Sequence, residues 1–162
     1  MKLKIIILSL LIVLTSCADL QQQLPERCEA PVGFSCVDYN MERTFDRVVT
    51  TGSINLTIIS NNLGDIQYID NIRVSHAEVR MGVFHLAHQC EAKDEKGNDL
   101  IGRESEGLVS LGQQFQINCD LSISDVIESK GQKAPMIVEF NYFKTGGMIE
   151  RTAKIDMFVT VS

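Results

Sequence analysis

Apolar residues recur at every second position through much of the chain. Ile54, Leu56 and Ile58 alternate with Asn55, Thr57 and Ile59, and Phe115, Ile117 and Cys119 alternate with Gln114, Gln116 and Asn118. A period of two puts one set of side chains inside and the other outside a pleated strand. Near the end of the sequence, Ala153, Ile155, Met157, Val159 and Val161 share one face, with Arg151, Lys154, Asp156 and Thr160 around the other. Residues 136–143 read as the strand before it, joined through Lys144-Thr145-Gly146-Gly147, where Gly-Gly supplies the positive φ of a tight hairpin. Asn61-Asn62-Leu63-Gly64-Asp65 is a second turn cluster. Strand resumes after it through Ile66 and Tyr68, or through the offset set Ile69 and Val74. Residues 78–90 carry both parities: Val79, Met81 and Val83 on one, Phe84 and Leu86 on the other. One strand that is bulged, or buried on both faces, would give this pattern. Residues 91–106 hold a charge-rich loop. Residues 124–128 could form one helical turn, capped by Ser122 or Ser124 and too short to stand alone. About seven short strands with regular turns predict an all-β, immunoglobulin-like antiparallel sandwich.

The opening residues depart from this pattern. Lys2 and Lys4 precede an apolar run over residues 5–14. That length suits a signal-peptide core of roughly 7–15 residues and falls short of the about 20 needed to cross a bilayer. Leu14-Thr15-Ser16-Cys17 follows, and it resembles the lipobox of prokaryotic lipoproteins. The resemblance implies cleavage before Cys17 and a diacylglyceryl thioether on its sulfur, with acyl chains such as palmitate. Two or more chains hold a protein at a membrane, each buried CH₂ adding about 0.8 kcal/mol. The expected organisation is a signal peptide over 1–16, a polar tether over 17–27 and a single domain over 28–162. The implied location is the cell envelope, on the outer side of the cytoplasmic membrane or at an outer membrane where one exists.

Charge and cysteine content sharpen this picture. The whole chain carries 15 basic and 21 acidic residues. Losing Lys2 and Lys4 with the signal leaves 13 against 21, a net charge of −8. Nucleic-acid binding needs a basic footprint that this composition lacks. Five cysteines are an odd number for an exported chain. Assigning Cys17 to lipid leaves four, which allow three pairings in an oxidising compartment. Cys28–Cys36 is favoured because Pro31 and Gly33 form a turn between them, and Cys90–Cys119 then remains. In the chain-entropy model the two contribute about 2.6 and 3.6 kcal/mol. Zinc is disfavoured, because the spacing departs from the C-x₂₋₄-C of structural sites.

A second resemblance spans residues 28–160. Cys28-Glu-Ala-Pro-Val-Gly-Phe-Ser-Cys36, then Gly52-Ser-Ile-Asn-Leu-Thr-Ile-Ile-Ser-Asn61-Asn-Leu-Gly64, is similar to the β-sandwich domains of archaeal pilin-like and surface proteins. It implies a sandwich fold and a later cysteine pair, which Cys90 and Cys119 would match. The long filament-forming helix of archaeal pilins has no counterpart here.

Candidate chemistry is sparse. His85 and His88 fall on opposite faces of a strand, so neither they nor His76 make a shared metal site. Asn55-Leu56-Thr57 is a glycosylation sequon with Asn55 facing outward. Asp94, Glu95, Asp99, Glu104 and Glu106 lack calcium-loop order. Nucleophile-elbow and phosphate-loop motifs are missing. The expectation is therefore a domain without catalytic residues, metal or cofactor. Its partners would be membrane lipid through Cys17 and other envelope proteins, or itself, by edge-strand pairing along residues 18–40 or the final strand. The alternative is a ligand-binding or enzyme-inhibitor lipoprotein with a pocket near residues 78–106.

Overall fold

The computed structural model describes residues 24–46, 49–60, 71–87, 90–101, 108–122, 131–144 and 148–162. Alternating residues become strands throughout: β1 Arg27–Glu29, β2 Phe34–Asp46, β3 Val49–Ser60, β4 Ile72–Met81, β5 Phe84–Ala87, β6 Glu91–Asp94, β7 Gln114–Ser122, β8 Lys133–Lys144 and β9 Arg151–Thr160. All strand pairs are antiparallel. One sheet has the order β1-β9-β8-β4-β5, the other β2-β3-β7-β6.

The two sheets face each other over the side chains that the period of two assigns inward. Ile54, Leu56 and Ile58 of β3 and Phe115, Ile117 and Cys119 of β7 are buried, as are Ala153, Ile155, Met157 and Val159 of β9. Aromatic rings lock the layers together. Phe34 of β2 meets Phe140 and Tyr142 of β8 edge-on, with centroids 5.0 and 5.3 Å apart. Phe115 of β7 meets Phe140 at 5.7 Å. Positive ring edges pointing at negative faces favour this geometry beyond area burial alone.

Cys28 bonds Cys36 and Cys90 bonds Cys119, with Cα separations of 6.1 and 4.4 Å. The first disulfide joins β1 to β2 and so crosses between the sheets. The second joins the residue before β6 to β7 within one sheet.

Three expectations change. The double parity of residues 78–90 does not come from a single strand. A hairpin turns at Gly82, whose φ of 59° favours glycine, and Met81 pairs with Phe84 across it. Crossing that turn switches the buried parity from Val79 to Leu86, and the register shift between Val79 and Arg80 switches it back at Ala87. The charge-rich stretch begins as strand β6 rather than as loop, because Ala92 packs inward. The strand count among the described residues is nine. The turn cluster at 61–65, strand residues 66–69, the helical turn at 124–128 and turn residues 145–147 lie outside the described residues. Among the described residues, no helix is long and apolar enough to cross a membrane.

Candidate functional site

The outer face of the five-stranded sheet carries a strip of charge. Register places Glu78 of β4 opposite Glu139 of β8, and Glu139 opposite Lys154 of β9. Two carboxylates facing each other repel, and the surrounding cations offset this. Arg80 donates from Nε to Glu78 at 2.7 Å, contacts it again through Nη2, and lies 3.6 Å from Glu139. Lys154 Nζ donates to Glu139 at 2.8 Å. His76 Nε2 and His85 Nδ1 approach the same Glu78 oxygen at 3.6 and 3.5 Å. Burial of Glu78 pushes its carboxyl pKa up. The Arg80 guanidinium, with the two imidazoles, more than reverses this and holds it below the ordinary carboxylate value. The charges of the strip pair with one another and so tie the strands of this sheet together.

A hollow of about 400 Å³ is lined by Cys90, Glu91, Ala92, Asp99, Ile101 and Asp120. It falls largely within the segment expected to rim a pocket. Its size is at the lower end for ligand sites, but such sites are mostly apolar and this one carries three carboxylates.

No family model, no curated protein and no solved structure matches this chain.

The residues singled out in the sequence scatter over the fold. Asn55 sits on the outer face of the four-stranded sheet, where its Nδ2, the atom a glycan would occupy, donates to Asn40 Oδ1 at 3.0 Å. Asp94 accepts the Lys96 and Asn98 backbone N–H groups and the Asn98 side-chain amide. Those bonds hold its carboxyl pKa low and make it the closure of a turn. Glu95 accepts from the Gln114 backbone, and Asp99 lines the hollow. Cys17, His88, Glu104 and Glu106 lie outside the described residues. Among the described residues, no group of three or more metal-ligating side chains converges.

The outer edge of β9 belongs to the final strand, one of the two edges expected for strand pairing. The backbone polar groups there divide into paired and open ones. Ser162 N–H and C=O pair with Met41 and Arg43 of β2. Thr160 N–H donates to the Glu26 carboxylate at 3.1 Å. Phe158 and Asp156 lie opposite Arg27 and Glu29 of β1. Val161 turns the other way, to Gly131 and Gln132, so the even-numbered residues of β9 face outward. β1 ends at Glu29. Beyond it, the N–H and C=O groups of Thr152 and Lys154 face the open edge, unpaired among the described residues. Large exposed apolar side chains flank this stretch along the chain: Val32 at 96 % exposure follows β1, and Met148 at 95 % and Ile149 at 75 % precede Arg151.

Proposed function

We propose that this chain is a lipid-anchored cell-envelope protein, structural or adhesive in kind, whose immunoglobulin-like sandwich binds other proteins. In this reading Cys17 carries the diacylglyceryl group after cleavage. The domain stands outside the cytoplasmic membrane, or on an outer membrane where the cell has one. The observation that supports an interaction module best is the unsatisfied edge of β9, since an extended partner strand would complete its ladder. The approach of the N-terminal segment fits a tethered domain. Leu24 C=O accepts from Lys133 Nζ at 2.6 Å and Glu26 caps Thr160, so the chain enters at the sandwich end where β9 finishes, away from the exposed Met148 and Ile149. The hollow beside Cys90 favours the alternative of a small-ligand or enzyme-inhibitor lipoprotein, with a cationic ligand suited to its carboxylates. No catalytic step is assigned in either reading.

Two measurements test this. Labelled palmitate is expected to enter the wild-type chain and not Cys17→Ser, and that variant is expected to leave the membrane fraction. A photo-reactive side chain at Ile149 is expected to crosslink a discrete envelope protein, or a second copy of the chain, in intact cells. Equal membrane retention of Cys17→Ser would defeat the anchor. Crosslinking no greater than from exposed Lys96, in the turn after β6 of the other sheet, would defeat the interaction surface.

A further inference from the structure

We infer that the open stretch of β9 pairs antiparallel with the same stretch of a second copy, joining two five-stranded sheets into one. The inference rests on the reading of the domain as an interaction module and names its partner.

The register follows from the unpaired groups. Outward-facing residues must oppose outward-facing residues, so Thr152 and Lys154 can meet only even-numbered partners. Setting Thr152 opposite Thr152 leaves Lys154 facing Glu150, which lies outside the strand. Setting Lys154 opposite Lys154 places like charges together and drives Thr152 against Asp156, an edge already occupied by β1. The remaining choice opposes Thr152 to the second copy's Lys154, and Lys154 to its Thr152. A two-fold axis then passes between the two Ala153 residues, as an isologous interface requires. Each opposed pair exchanges two bonds. Every unpaired N–H and C=O of the open stretch finds a partner, and no cation opposes a cation.

The flanks agree with this register. Arg151 then faces the second copy's Ile155, and the next position along the line belongs to the second copy's β1, at Glu29. Arg151 takes the inward parity of Ala153 and Ile155 while Glu29 takes the outward parity of Asp156, so neither side chain blocks the other at the joint. The chain ahead of Arg151 leaves that position free. Glu150 reaches back over the sheet face, where its Oε1 accepts from Ser75 Oγ of β4 at 2.6 Å.

An own-chain occupant fits less well. β1 runs antiparallel to β9, so the residues before it lead towards Thr160 and Val161 and away from Thr152.

The chain, kept oxidised and carrying Ala153→Cys, tests the register. Directly opposed residues of a non-bonded antiparallel pair have Cα atoms about 4.5 Å apart, within disulfide reach. Air oxidation is expected to double the mass on non-reducing gels. Thr152→Pro removes an outward N–H that the monomer does not use, which an edge strand tolerates. Added to Ala153→Cys, it is expected to abolish the crosslink. Should that proline disturb the fold, mixing serves instead: Thr152→Cys and Lys154→Cys chains, directly opposed at about 5.5 Å in this register, are expected to crosslink to each other and not each to itself. A wild-type chain that sediments as a monomer at its solubility limit, with Ala153→Cys left uncrosslinked, overturns the self-pairing. If Ile149 still crosslinks a discrete envelope protein in cells, the interaction reading survives that result with a different partner.

Discussion

Glu78 shows how one side chain can hold several strands in register. Its carboxylate gathers Arg80 from its own strand and His85 from the neighbouring strand, while Arg80 reaches on to Glu139. Removing the charge strands a guanidinium that is largely covered. Glu78→Gln is expected to lower stability at neutral pH by about 1–3 kcal/mol, read from urea denaturation. The sign with pH is fixed by the direction of the shift. A carboxyl held below its ordinary value of 4.5 contributes stability above that pH and loses it as acid protonates the folded form. The variant should therefore show a flatter fall in stability below about pH 4.5 than the wild type. An identical acid limb in both would mean that Glu78 carries none of the linkage. Phe140, fully buried among Phe34, Phe115 and Tyr142, has a simpler role. Phe140→Ala is expected to cost about 3–5 kcal/mol by the same measurement. None of the Glu78 cluster was legible in the sequence. His76 and His85 are nine positions apart, and only the hairpin at Gly82 brings both rings to one oxygen.

At the scale of elements, alternation was a reliable guide wherever one sheet face is buried and the other wet. Strands β3, β7, β8 and β9 are legible for that reason, and so is the sandwich. The β4–β5 hairpin was not, because a tight turn and a bulge each shift parity by one residue and mimic a strand with two buried faces. The final strand was expected to offer an edge, but where the β9 edge opens was hidden for another reason. The edge opens because β1 stops after Glu29, and no periodicity marks where a neighbouring strand ends. β1 itself is short, with three residues paired to β9, and cannot hold the edge unaided. Replacing Cys28 and Cys36 together by alanine is expected to release β1 locally. Amide hydrogen exchange at residues 27–29 should then rise towards loop rates while β8 amides stay protected. Protected β1 amides in that variant would place its stability in the ladder instead.

For the molecule as a whole, the two disulfides divide the work. Cys90–Cys119 lies inside, both sulfurs buried, beside the backbone bond from Cys90 N–H to Ala77 C=O that links the sheets. Its loss, through Cys90→Ala with Cys119→Ala, is expected to lower global stability by about 2–4 kcal/mol, read as a shift of the urea midpoint. Cys28–Cys36 stands near the point where the chain enters the domain, and this placement has a mechanical consequence. A pull on the N-terminal segment, directed away from the sandwich, would first strain the Lys133 contact at Leu24 and then shear three backbone pairs. Beyond Cys28 the tension crosses a covalent stitch into β2, the longest described strand at 13 residues. Traction on such a tether would be shared between both layers, and a reductant would detach β1 far more readily than force.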